Sequence, residues 1–382
     1  MSRRGDRQLT GAQGHPVRVV VAGGGTGGHL FPGLAVAREI RRRQGGADIL
    51  FVTGRRKMES AILSESGFAR RTIGVEGLKG RGRVRGALAL ARLPWSLVQS
   101  LGILREFSAD VVLGVGGYSS GPVCVAARIL GVPAAVHEQN SFPGLTNRLL
   151  SRVVGRVFIS FEESREHFPG GEIVLTGNPV REEILAAGRA GRVEGASFTV
   201  LVVGGSQGAR AVSRAFVSAL GILNRGGRRP LVIHQTGEGD YAEVREAYRR
   251  EGIEGDVFPF IRDMAGAYAR ADIVVSRAGA STVSELAALG KPSILIPYPH
   301  AANRHQETNA LVLVRAGGAE MILEKDLSGE ALADLLIAYM DDRGALRMMG
   351  ENARRMGCPD AAALIAGRLM EMIGPSRTTD NP

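Results

Sequence analysis

Gly23-Gly24-Gly25-Thr26-Gly27-Gly28-His29 follows the β-branched run Val19-Val20-Val21 and precedes a helical spacing of Leu30, Leu34, Ala37 and Ile40. A glycine loop that ends in a helix start brings bare backbone N–H groups close to an anion. His29 stands where that helix begins, at the carboxyl end of a strand, the edge at which open α/β sheets bind ligands. Imidazole titrates near neutrality, so a general base or a direct substrate contact is the chemistry expected there. A helix-start residue with no reaction to perform is the plainer alternative. Gly23-x-Gly25-x-x-Gly28 also fits the dinucleotide fingerprint. The next strand ends Thr53-Gly54-Arg55-Arg56, without the acidic residue that holds a nicotinamide ribose, which disfavours a dehydrogenase.

Three further clusters carry polar chemistry. His137-Glu138-Gln139-Asn140 places four hydrogen-bonding side chains in succession after a buried-looking strand, which favours a site over a simple turn. Gly114-Val-Gly-Gly-Tyr-Ser-Ser-Gly121 is a second glycine-rich strand end. Thr282-x-x-Glu285 opens a helix and has two readings: a capping box, or a carboxylate that accepts two ribose hydroxyls beside a helix end suited to phosphate. No Asp-x-Asp motif occurs, so no divalent metal site for a diphosphate is expected; glycine loops and helix dipoles would take its place.

The elements that must position these residues alternate strand and helix along the whole chain, which indicates mostly parallel, doubly wound α/β sheets. The pattern restarts about 180 residues on: Thr199–Val203 leads into Gly204-Gly-Ser-Gln-Gly-Ala-Arg210. Two such units argue for two Rossmann-like domains facing one another. The expected division is 17–178, a linker region at 179–197, 198–358, and a C-terminal helix at 359–374 able to return to the first domain.

At 382 residues there is room for two cores. The net charge is +10, almost all of it from arginine, since only Lys57, Lys79, Lys291 and Lys325 are lysines. A basic excess suits nucleic acid, an anionic membrane or a phosphorylated substrate. Aromatics are only 5% and do not alternate with basic residues, which argues against nucleic acid. Cys124 and Cys358 are far apart and offer neither metal-ligand spacing nor a disulfide framework, so a reducing compartment is expected. Residues 1–16 lack the apolar core of a signal peptide, and no run of about 18 apolar residues spans a membrane. The stretch from Lys79 to Glu106 is amphipathic. Leu90, Leu93, Leu97, Leu101 and Leu104 share a helical face, while Leu88, Ala91, Trp95 and Val98 lie opposite, near Arg81, Arg83, Arg85 and Arg92. Apolar residues ringed by arginine suit an anionic membrane surface; the competing reading is a helix buried on both faces.

GGGTGGHLFPGLAVA, GVGGYSSGP, HEQNSFPGLTNR, GNPVR, VVGGSQGAR, FIRDM, RAGASTVSELAALGKPSILIPYP and HQETNA together resemble, in order, the MurG family of peptidoglycan glycosyltransferases, over about residues 17–370. The resemblance implies a GT-B fold with a deep cleft between two Rossmann-like domains. It implies inverting transfer of GlcNAc from UDP-GlcNAc, held by the C-terminal domain, to lipid I, held by the N-terminal one. On it, Ile261 contacts uracil, and Ala280, Ser281, Thr282, Val283, Ser284 and Glu285 wrap the nucleotide, with Glu285 on the ribose. Ser206 meets the phosphates and Arg181 the donor region, and Thr26, Gly27, Gly28, Asn140 and Gln306 complete the donor site. His29, and after it Glu138, assist the acceptor hydroxyl. Gly116, Gly117, Tyr118 and Ser119 cradle the lipid diphosphate, and Leu88 and Trp95 fall in the membrane-facing segment. The resemblance also implies a peripheral protein on the cytoplasmic face of the bacterial membrane, with other cell-wall synthesis proteins as partners. An epimerase acting on UDP-GlcNAc shares fold and donor but needs no acceptor loop. A sugar-nucleotide-binding membrane module would keep Ala280–Glu285 yet not require His29.

Overall fold

The computed structural model describes residues 16–75, 93–190, 197–205 and 208–373. They form two compact units, one comprising residues up to 179 together with those from 360, the other 180–359.

The first unit runs β1 (Arg18–Ala22), α1 (Gly27–Arg43), β2 (Asp48–Thr53), α2 (Lys57–Ser66), β3 (Ala69–Thr72), α3 (Leu93–Phe107), β4 (Val111–Gly114), α4 (Ser120–Ile129), β5 (Ala134–Glu138), α5 (Leu145–Leu150), β6 (Arg156–Ile159) and β7 (Glu172–Leu175). Among the described residues the strands make a seven-stranded parallel sheet in the order β3-β2-β1-β4-β5-β6-β7. Val19 lies opposite both Ile49 and Val111. A parallel sheet needs cover on both faces, and the strands are accordingly near-continuous apolar runs. Side chains alternate between two cores. Val19, Val21, Phe51 and Leu113 pack with Leu30, Leu34 and Ile40 of α1. Val20, Ala22, Val52 and Val112 pack with Leu104 of α3 and Val123 and Ala127 of α4.

The second unit begins at α6 (Glu182–Ala190) and continues β8 (Thr199–Val203), α7 (Arg210–Arg225), β9 (Leu231–Gln235), α8 (Tyr241–Arg250), β10 (Asp256–Phe258), α9 (Met264–Arg270), β11 (Ile273–Ser276), α10 (Ala280–Leu289), β12 (Ser293–Leu295), α11 (His305–Arg315), β13 (Glu320–Met321), α12 (Gly329–Asp341) and α13 (Arg343–Arg355). Its sheet has the order β10-β9-β8-β11-β12-β13. The last helix, α14 (Ala361–Met370), belongs to the first unit, where Ile365 and Leu369 are fully buried beside α1.

The linker expected at 179–197 is corrected. Its first half is α6, whose Ile184 is fully buried and which packs on α9 and α10. Its Gly/Ala composition reflects close packing: a Cβ at Gly188 would come 2.6 Å from Leu289 Cδ2. Helices α5 and α11 and the short β13 lie in stretches whose loop-like motifs hide them in the sequence.

In both sheets the strand order reverses once, between β1 and β4 and between β8 and β11. The glycine loops follow β1, β4 and β8, and the Arg277–Gly279 turn follows β11. The sequence motifs therefore converge on the two topological switch points, where doubly wound sheets bind ligands.

Candidate active site

In the first unit the two glycine loops lean on each other. Gly24 N–H donates to Gly116 O at 3.3 Å, and a Cβ at Gly117 (φ +80°) would run into the Gly24 carbonyl. Only glycine permits that approach and that backbone conformation. Thr26 caps α1 with backbone alone: its carbonyl accepts from His29 N at 3.2 Å, and its side chain makes no cap bond. No acidic residue lies in the first turn, and Thr26 and Gly28 are exposed. This helix start therefore keeps the positive end of its dipole at the surface. Glu59 grips the loop from beneath, accepting from Gly25 N–H, while Arg56 donates to Gly25 O at 2.6 Å.

His29 is half-buried, and its Nδ1 lies 2.9 Å from Gln139 Oε1. Gln139 is 2% exposed, and its amide nitrogen donates to Val115 O at 2.9 Å and to His137 Nδ1 at 3.0 Å. Burial pushes His137 down to about 4, so that ring is neutral. Gln139 is the residue sequence reasoning missed: it stood in the HEQN cluster without a role, and only the fold brings it to a histidine 110 positions away.

Glu138 is corrected. It is 2% exposed, and its carboxylate accepts from Asn140 N at 3.0 Å, Asn140 Nδ2 at 3.0 Å, Gly144 N at 3.1 Å and Asn147 Nδ2 at 2.9 Å. Four N–H bonds occupy the four lone-pair sites of a carboxylate, leaving none for a hydroxyl proton. Glu138 organises the 140–147 loop, and Asn140 is its partner. The expected diphosphate cradle also narrows. Gly116 and Ser119 are buried, the former against His29, while Gly117 and Tyr118 are half-buried.

In the second unit α10 starts at Ala280 after Gly279, which provides no side-chain cap, and again no acid lies in the first turn. Thr282 is thus the third helical residue and Glu285 the sixth, so the capping box is not formed. Glu285 instead bonds Arg181 Nη2 at 3.2 Å and Tyr268 Oη at 3.0 Å, its side chain 12% exposed. Burial raises its pKa above the usual carboxylate value, against the lowering effect of Arg181. Two expected site residues, 104 positions apart, therefore meet, and Tyr268 joins them unforeseen. Ala280 and Val283 are buried, Val283 at 1%, so Val283 is a core residue rather than a ligand contact; Ser281, Thr282 and Ser284 are half-buried. Ile261 is buried, with its N–H on Gln235 Oε1 at 2.9 Å. Gln306 Oε1 accepts from Tyr298 N at 3.0 Å, steadying a loop in which Asn303 and Arg304 take left-handed φ of +54° and +53°. Ser206 lies outside the described residues. Among those described, no three His, Cys, Asp or Glu side chains group as a metal site.

Helix α3 carries Leu93, Trp95 and Val98 exposed at 42%, 63% and 56%. Its buried side is Ser96, Ser100 and Leu104, with Ser96 Oγ donating to Gly74 O at 3.0 Å. Burial on both faces is thereby excluded, and Leu93 leaves the core face on which the leucine spacing put it. Arg81, Arg83, Arg85 and Leu88 lie outside the described residues. Helix α5, which packs with α3 on α4, exposes Leu145 and Leu149 beside the exposed Arg148 and Arg152. No described helix is long and apolar enough to cross a membrane.

Two switch points, each with a helix start that lacks a side-chain cap, describe a doubly wound α/β protein suited to anionic ligands, and the comparisons narrow the class. The glycosyltransferase family 28 N-terminal domain matches residues 19–159, and the C-terminal domain of the same family matches 199–365. The chain belongs to glycosyltransferase family 28, in its MurG branch. It is 47% identical to the UDP-N-acetylglucosamine–N-acetylmuramyl-(pentapeptide) pyrophosphoryl-undecaprenol N-acetylglucosamine transferase of Syntrophus aciditrophicus, over 94% of this chain and 99% of the relative. The identically named transferase of Geotalea daltonii is 45% identical over 92% and 97%. The crystal structure of Acinetobacter baumannii MurG superposes with a TM-score of 0.76 at 30% identity, covering 93% of this chain and all of that one. UDP-GlcNAc 2-epimerase from Neisseria meningitidis shares the fold, with a TM-score of 0.66 at 15% identity.

Proposed function

We propose that this protein transfers N-acetylglucosamine from UDP-GlcNAc to the C4 hydroxyl of MurNAc in undecaprenyl-diphospho-MurNAc-pentapeptide, giving lipid II for peptidoglycan synthesis. The observation that carries the reading is identity of up to 47% with transferases of that name over almost their whole length. The His29–Gln139 pair supplies its chemistry. In the transfer, the C4 oxygen forms a bond to the anomeric carbon of GlcNAc from the face opposite the nucleotide. The bond from that carbon to the β-phosphate oxygen breaks, and UDP leaves with the electron pair. The hydroxyl proton passes to His29, which acts as general base.

The second unit holds the donor. Glu285, gripped by Arg181 and Tyr268, accepts the ribose hydroxyls, and the start of α10 lies at the nucleotide, with Ile261 at the uracil and Gln306 at the sugar. Charge on the departing diphosphate is met by backbone N–H groups at the start of α10, without a divalent metal. Gly117 and Tyr118 contact the lipid diphosphate. Trp95, Val98 and Leu93, with Leu145, Leu149, Arg148 and Arg152, rest on an anionic membrane surface, making the protein peripheral on the cytoplasmic face.

Incubation with UDP-GlcNAc, with and without lipid I, tests the reading. Release of UDP only when lipid I is present is the expected result. Formation of UDP-ManNAc without acceptor would overturn it in favour of an epimerase, and binding without turnover in favour of a sugar-nucleotide-binding module.

A further inference from the structure

The first unit contains a polar chain that the reaction as written does not use. It starts at Ser160, whose Oγ donates to Glu138 O at 2.8 Å. Next comes His137, 1% exposed, with Nε2 lying 3.2 Å from Ser160 Oγ and 3.3 Å from Gly177 O. Then comes Gln139, and finally His29. The chain crosses the carboxyl ends of β5 and β6 and terminates at the start of α1.

Proton positions along it follow from what each group is able to do. A backbone carbonyl only accepts, so the group 2.9 Å from Val115 O is the amide nitrogen of Gln139. The amide oxygen is thereby turned to His29 Nδ1, and an amide oxygen also only accepts, so Nδ1 carries the hydrogen. In a neutral imidazole the other nitrogen, Nε2, is then the basic one. The second amide hydrogen of Gln139 has two acceptors, His137 Nδ1 at 3.0 Å and, farther, His137 O at 3.3 Å; taking the nearer leaves Nδ1 bare and places the hydrogen of His137 on Nε2, toward Ser160 and Gly177. Every donor then has an acceptor. Burial keeps His137 neutral, with its pKa lowered to about 4, so the acceptor on Gln139's far side persists at neutral pH. Glu138, the adjacent carboxylate, is turned to the 140–147 loop. Gly116 makes room for the contact, since a Cβ there would stand 2.8 Å from His29 Nδ1.

We infer that Gln139 is a positioning residue: held by Val115 and His137, it fixes His29 in the Nδ1–H tautomer and so makes Nε2 the nitrogen that takes the acceptor proton. An imidazole without such a partner chooses its tautomer freely, and the wrong tautomer offers a donor where a base is needed. The inference rests on His29 being the base, as proposed above.

Nitrogen NMR of protein labelled at histidine, with His29 assigned by loss of its signals in His29→Gln, reads the tautomer directly. The expected wild-type spectrum shows a protonated Nδ1 and a bare Nε2. In Gln139→Leu the bias is lost and a protonated Nε2 appears, while kcat falls by about 10²-fold and KM for UDP-GlcNAc stays within about twofold. Gln139→Glu keeps an acceptor oxygen opposite Nδ1. It should hold the Nδ1–H tautomer but recover only part of the lost kcat, because its second oxygen replaces the N–H that Val115 O accepts, and the acid limb of the kcat–pH profile should move upward, because a carboxylate stabilises the imidazolium. A protonated Nε2 in the wild type, or an unchanged His29 tautomer in Gln139→Leu, overturns the inference. Full turnover by His29→Gln would instead overturn the base itself, a distinguishable failure because the tautomer would still follow residue 139.

Discussion

His137 and His234 are each the second-last residue of a parallel strand, each almost fully buried and each neutral, with burial pushing them to about 4 and about 3. Their surroundings diverge. His234 bonds Tyr248 Oη at 2.9 Å and Ser213 Oγ at 3.3 Å and packs edge-on against Phe216, and its contacts end inside the core. His137 passes its hydrogen bonds through Gln139 to His29, at the start of a helix. The same residue type, equally buried, is a structural plug in one unit and a link toward the His29 helix start in the other. What separates them is whether the polar chain reaches the switch point of its sheet. The second unit invests its switch-point polarity elsewhere, in the Arg181–Glu285–Tyr268 group suited to holding a ligand rather than moving a proton.

The sharpest way to break this division is His29→Ala. Turnover with lipid I should fall by about 10²–10⁴-fold while UDP-GlcNAc affinity, measured by calorimetry, changes by less than about threefold. Unchanged turnover would remove the first unit's claim to the chemistry.

Acid stability probes what the two buried histidines share. Each binds its proton more readily in the unfolded chain, with a pKa near 6.5, than in the folded one. The unfolded state therefore takes up more protons as pH falls below about 6.5, and stability drops until the folded values near 4 and 3 are reached. Each contributes a loss on the order of a few kcal/mol over that window. Urea titrations of His234→Gln between pH 7 and pH 4 should show a shallower decline than wild type; equal slopes would mean that His234 is not held neutral.

Glu285→Gln should raise the Kd for UDP-GlcNAc roughly 10–100-fold with kcat at saturating donor reduced far less, the inverse of the His29 pattern. A pure kcat effect would erase the contrast between the units. Trp95→Asp should weaken binding to anionic vesicles roughly tenfold, read by sedimentation, with an unchanged far-UV spectrum. The smallest effect is expected of Thr282→Ala. A working capping box would cost about 0.5–2 kcal/mol. With Thr282 inside the helix and making no cap, the midpoint of thermal unfolding should barely move.

Much of this was written in local pattern. Alternating apolar runs require two-faced parallel sheets, and the repeated strand–glycine–helix unit at 19–33 and 199–212 announces two of them. The glycine loops and His29 were legible because backbone approach to an anion demands glycine and because a helix start is a local event. The roles of Glu138, Gln139, Arg181 and Glu285 were not legible in that way, since they depend on partners outside their own segments or on how a loop closes. A glutamate on a first turn looks like a cap until the helix proves to begin two residues before its supposed partner. A glutamate after a strand looks like a base until the chain folds four N–H groups around it. The Gly/Ala stretch after Arg181 reads as a linker until it proves to be a helix with Ile184 fully buried.

The sequence by itself determined the fold class, the two strand–glycine–helix units and the helix-start histidine, because periodicity and glycine act over a few neighbouring residues. The tertiary structure alone decided which polar side chains are spent on the scaffold and which serve a site. That choice depends on hydrogen-bond partners brought together across 104 and 110 positions, and on burial that makes an unpaired donor or acceptor costly.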